Sequence, residues 1–193
     1  MFSLDYDFLA DDCPDNLPSR DHTVALCKEA GCYHGGISFR NRPSEPITAW
    51  IKYGPSVTVA EALTQDKVAK LLNADPKAAV RIPRVYQAFS TDDDILFDAE
   101  SNLGYIVMEY IDAPDCDEGD FQLVAEAVQS LIAVRGPSAV PGPIGGGFVV
   151  HPFFPYGQSP IRYATVKELE RHVNGVSGVP IFQVAPRRLD GPG

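Results

Sequence analysis

Apolar and polar positions alternate most cleanly between Ile47 and Tyr53. Ile47, Ala49, Ile51 and Tyr53 fall on one side, and Thr48, Trp50 and Lys52 on the other, which is the period of a half-buried strand. Gly54-Pro55 stops it. The spacing then turns helical: Ala60, Leu63, Val68, Leu71 and Leu72 predict a helix over 59–73, opened by the capping-box pattern Thr58-x-x-Glu61. Further strands are expected over Pro83 to Phe89, Ile95 to Phe97, and Gly104 to Ile111. The last contains the run Tyr105-Ile106-Val107-Met108, continuous as in a strand buried on both faces. Upstream, Asp21 to Ala30 reads as a helix capped by Asp21 and closed by Gly31, followed by a strand over Tyr33 to Arg40. Downstream, Asp120 is expected to cap a helix running to Arg135 with Phe121, Val124, Val128, Leu131 and Ile132 on its apolar face, closed by Gly136-Pro137. Phe148 to Phe154 reads as extended, and Thr165-x-x-Glu168 opens a last helix to about Val173.

These elements predict an α+β chain. Residues 1–20 read as an N-terminal arm, 21–112 as an antiparallel sheet with one main helix, 113–174 as a partial helical lobe, and 175–193 as a tail without period, expected to be disordered.

Composition and charge narrow the partners. Apolar residues make up 45% and charged residues 22%, a globular balance. The net charge of −10 repels phosphate backbones and anionic lipid, which argues against nucleic acid and membrane surfaces. No stretch has the length of a membrane span. Met1 to Asp12 lacks the basic and apolar regions of a secretory signal, so a cytoplasmic protein is expected. The four cysteines, Cys13, Cys27, Cys32 and Cys116, are then expected as free thiols. Cys27, Cys32 and His34 are close in sequence, but their spacing fits no common zinc pattern, and no metal site is assigned.

Three features suggest chemistry by their order. Lys52 lies on a strand, Glu61 in the first turn of the next helix, and the later buried strand ends in Met108-Glu109-Tyr110-Ile111. Lys52-Tyr53-Gly54 is followed by Glu61-Ala62-Leu63-Thr64-Gln65, and further on come Gly142-Pro143-Ile144-Gly145-Gly146-Gly147 and His151. This set resembles the aminoglycoside-phosphotransferase-like branch of the protein-kinase-like superfamily, its fungal members in particular, over about Val24 to Val173. The resemblance implies a kinase-like small lobe over 21–112, followed by an incomplete large-lobe segment. It implies that Lys52 meets the phosphates of ATP, that Glu61 orients Lys52 through an ion pair, and that backbone groups of Glu109 and Ile111 bond adenine. Each residue also has a plainer role: Lys52 as a solvated strand lysine, Glu61 as the capping-box acceptor, Glu109 as a polar strand end.

Two departures shape the expected function. Trp50 shares a face with Lys52, where it either fills much of the space that the resemblance gives to adenine or stacks on the base. The residues for transfer are also missing. A kinase needs an aspartate to take the hydroxyl proton and carboxylate or amide ligands for magnesium. Here His151 is followed by Pro152-Phe153-Phe154 and His172 by Val173-Asn174, and the one aspartate beyond Asp120 is Asp190. The expectation is a truncated, inactive kinase-like protein that binds ATP weakly, with Mg2+ not held by this chain alone. Two alternatives stay open: an ATP-dependent small-molecule phosphotransferase completed by a missing or trans-acting half, and a non-catalytic interaction module. The Phe121 to Ile132 face calls for a protein partner or a second copy of the chain to cover it.

Overall fold

The computed structural model describes residues 7–31, 35–91, 103–144 and 146–177. The chain divides into two compact units, Met1–Arg135 and Gly136–Gly193. The first is built on strands β1 (Phe8–Leu9), β2 (Ile37–Phe39), β3 (Ala49–Gly54), β4 (Val85–Thr91) and β5 (Leu103–Glu109). Its helices are α1 (Arg20–Ala30), α2 (Val59–Leu72) and α3 (Phe121–Ala133). The strands form one sheet in the order β1-β4-β5-β3-β2, and every neighbouring pair is antiparallel. The mixed α+β class expected from the periodicity is therefore observed.

The continuous apolar run of β5 has a simple cause. The strand lies in the middle of the sheet and is buried on both faces. Leu103, Tyr105 and Val107 point to a core shared with Phe39, Ala49, Ile51 and Tyr53, and with Cys27 of α1. Ile106 and Met108 point the other way, to a core with Val57, Ala62 of α2, Val85 and Ala88. The alternation read over Ile47 to Tyr53 is present too: Ala49, Ile51 and Tyr53 are buried, and Trp50 and Lys52 are half-buried on the opposite face.

Several boundaries differ from expectation, each for a local reason. Part of the expected N-terminal arm joins the sheet, because Phe8 and Leu9 pair with Ala88 and Gln87. Ser19, not Asp21, caps α1: its hydroxyl accepts from the His22 amide at 3.3 Å. Asp21 sits in the first turn, where its charge suits the helix dipole. The Asp120 side chain makes no cap bond to α3. Instead Asp117 and Asp120 cap the 3-10 turn Glu118–Asp120 that leads into it. That helix ends at Ala133, because Val134 is already extended, so Gly136-Pro137 lies beyond the cap. The strand expected over Ile95 to Phe97 lies outside the described residues.

The second unit holds a 3-10 turn, Pro155–Gly157, and helix α4 (Val166–Ser177). Phe148 to Phe154 forms no ladder beyond a single bridge, Val150 to Gln158. Among the described residues, Phe154, Tyr163 and Val173 are buried apolar residues of this unit, and the His172 ring meets Phe154 and Tyr163 edge-on at 6.0 and 5.6 Å.

One contact locks the connection from β3 to α2. Gly54 pairs with Gly104 across the sheet. The carbonyl of Val57 rests on Gly104 so closely that a Cβ there would overlap it. Gly104→Ala is expected to cost about 2 kcal/mol or more, since the obstacle is backbone and cannot turn aside. Gly35→Ala, with open space around it, is expected to be neutral. Urea denaturation of the two variants checks this contrast.

Candidate functional site

Lys52 and Glu61 come together. Lys52 leaves β3 on the α2 side, and its ammonium forms an ion pair with the Glu61 carboxylate in the first turn of α2. The two roles open to Glu61, capping-box acceptor and partner of Lys52, draw on one carboxylate, and the pairing with Lys52 takes it. The Thr58 hydroxyl accepts from the Glu61 amide at 3.0 Å, which caps the helix, while the Glu61 side chain turns to Lys52.

The residues around the pair explain both short runs quoted above. In Lys52-Tyr53-Gly54, Lys52 serves one face of the sheet. Tyr53 serves the other, donating its hydroxyl to the Gly31 carbonyl at the end of α1 at 2.5 Å. Gly54, at φ +150, makes the turn that side-chain-bearing residues resist. In the second run, Glu61, Ala62 and Gln65 share the face of α2 turned to the sheet. Ala62 is fully buried. The Gln65 amide donates to the Pro83 carbonyl at 2.9 Å and to Met108 Sδ at 3.4 Å. Gln65 therefore ties α2 to both β5 and the entry to β4. Sequence reasoning quoted Gln65 without a role and missed Gly104. A glycine inside an otherwise bulky strand was the available sign of a close backbone approach.

Glu109 and Ile111 sit at the expected strand end, but Glu109 is engaged elsewhere. Its carboxylate pairs with the Arg81 guanidinium and accepts from the Arg84 amide at 3.3 Å. Its own amide donates to the Arg84 carbonyl at 2.8 Å. The Glu109 amide is thus spent on fastening the segment before β4. Ile111 is half-buried just beyond β5.

Trp50 stands beside Lys52 on the α2 side and packs against the core around Val57, Ala62 and Met108. The backbone at Gly36 lies on its indole: a Cβ built there would be 2.5 Å from Nε1 and 2.7 Å from Cε2 and Cζ2.

Other candidates have structural roles. Cys27 is fully buried, which suits packing rather than metal binding, while Cys32 and His34 lie outside the described residues. No group of three or more His, Cys, Asp or Glu side chains converges as a metal site among the described residues. The His151 ring nitrogen Nδ1 accepts from the Phe153 amide at 3.0 Å, as part of a turn. No helix among the described residues is long and apolar enough to cross a membrane. Helix α3 exposes Phe121, Leu123, Val124, Val128, Leu131 and Ile132.

No family model matches the chain. Among curated proteins, the uncharacterized leukocidin-like protein 2 of Staphylococcus aureus (strain MRSA252) is 26% identical over 102 residues. The match covers 53% of this chain and 27% of that protein. No solved structure matches.

Burial pushes the Cys27 thiol up from 9.0 to about 12. Above about pH 9 the unfolded chain ionises this thiol and the folded chain does not. Its contribution to stability is therefore whole below about pH 9 and is lost as the pH rises toward 12. Urea denaturation as a function of pH is expected to show wild type losing stability faster than Cys27→Ala above about pH 9. Parallel curves would contradict a buried, neutral thiol.

Proposed function

We propose that this chain carries the phosphate-holding half of a kinase-like phosphotransferase site and lacks the half that transfers. The observation that carries this reading is the Lys52–Glu61 pair. A strand lysine is oriented by a glutamate in the first turn of the following helix, the arrangement that brings a fixed positive charge to nucleotide phosphates. The surroundings support it. Ala62, Gln65 and the Gly54–Gly104 crossing all set the position of α2 on the sheet. Each lies in, or pairs with, a run through which the sequence resembles the aminoglycoside-phosphotransferase-like group.

The proposed activity is weak binding of ATP through its phosphates, without turnover. Phosphoryl transfer needs a proton acceptor and metal ligands, and the part of the chain beyond Asp120 offers one aspartate, Asp190. Transfer to a small-molecule hydroxyl would require those groups from a further segment or a partner. The likeness to the leukocidin-like protein, 26% over 27% of its length, carries no function to this chain.

A second reading rests on α3. Only Glu126 is charged along that helix, and its large apolar side chains face solvent, so a non-catalytic docking role accounts for it without nucleotide.

Thermal shift and calorimetric titration with ATP, with and without magnesium, separate the two. The proposal expects binding that does not depend on magnesium and is lost in Lys52→Met. That variant should change stability by less than about 1 kcal/mol, because the pair is more than a third exposed at both ends. Equal behaviour of wild type and Lys52→Met toward ATP would favour the docking role. Turnover by the purified chain would overturn the claim that the transferring half is lacking.

A further inference from the structure

We infer that the Lys52 site recognises the phosphate chain alone and turns away the purine, so that its ligand class is a linear oligophosphate whose base contributes nothing. This rests on the proposal that Lys52 holds phosphate.

The surface around Lys52 leaves few directions for a ligand. On the same face of β3, Gly54 lies on one side and Trp50 on the other, each about 7 Å away along the strand. Toward Gly54 the way is closed. The chain turns there, Val57 is buried against the core, and α2 begins at Val59. A nucleotide with its phosphates on Lys52 must therefore lay its base along the strand in the other direction, over Trp50. That surface is already taken. The indole is packed against the α2-side core, and the Gly36 backbone rests on its Nε1 to Cζ2 edge. The indole itself stands where a purine would lie, and the Gly36 backbone closes on one of its edges, so a purine gains that place only by turning the indole out. A chain of phosphates needs only the cation and the space above it.

Trp50 is the single tryptophan of the chain, so its emission reports on this surface without competing signal. The test titrates wild type with ATP, inorganic tripolyphosphate and adenosine at matched ionic strength, following indole fluorescence and calorimetry. Lys52→Met and Trp50→Val are run in parallel. Tripolyphosphate is expected to bind within about threefold of ATP. Adenosine is expected neither to bind nor to quench Trp50. Binding of both phosphate ligands is expected to be lost in Lys52→Met. Trp50→Val is expected to tighten ATP relative to tripolyphosphate by about tenfold, as the purine gains room. If that variant does not fold, the wild-type titration decides alone. Lys52-dependent binding that favours ATP over tripolyphosphate by about tenfold or more, with quenching of Trp50, overturns the exclusion of the base and leaves the phosphate site standing. Failure of tripolyphosphate to bind, or binding indifferent to Lys52→Met, overturns the phosphate site and this inference with it.

Discussion

The ion pair between Lys52 and Glu61 requires a strand and a helix to stand at one fixed separation. With side chains 41% and 36% exposed, the pair is too well solvated to impose that separation itself. Packing does so instead. Ala62 has no side chain beyond Cβ and lets α2 close on the sheet. Val57 presses its carbonyl onto Gly104, which fixes where the helix starts. Gln65 ties α2 to the Pro83 carbonyl and the Met108 sulfur one turn further on. The fold thus holds the pair in place and gains little stability from it.

The same asymmetry runs through the electrostatics. The chain carries a net charge of −10, so its general field repels phosphate, and any anion site must be a local one. The guanidinium groups of Arg81 and Arg84 are already matched to Glu109 and Asp12. Lys52 is matched as well, but to a carboxylate that also orients it, and on a face bordered by glycine backbone and an indole. In the proposed role, this single oriented cation attracts phosphate. It supplies neither the base nor the metal grip that moving a phosphoryl group demands.

Much of the first unit was legible in the sequence because its signals are periodic. Strand alternation placed Lys52 opposite the buried residues of β3, the Thr58 cap placed Glu61 at a helix start, and the unbroken run of β5 marked a strand covered on both faces. Less legible was whatever depends on contacts distant in sequence. The pairing of Phe8 and Leu9 with β4 has no local signal, since two residues carry no period. Ser19 and Asp21 are both good cap residues, and only the backbone geometry decides for Ser19. At the site, the Lys52–Glu61 pairing was implied by the family resemblance, while the residues themselves left capping as an equal role for Glu61. The employment of the Glu109 amide by the Arg84 carbonyl was not, because it depends on how the segment before β4 returns to the sheet. The weight of Gly104 was hidden for the same reason: its partner, the Val57 carbonyl, lies 47 positions earlier.

The central claim is that Glu61 acts on phosphate through Lys52, and a double-mutant cycle tests it most directly. Binding of tripolyphosphate is measured for wild type, Lys52→Met, Glu61→Gln and the double variant. If Glu61 works by orienting the lysine, Glu61→Gln weakens binding in the wild-type background and has no further effect once Lys52 is gone. Independent effects that sum in the double variant, or tighter binding on loss of the glutamate, would contradict the account.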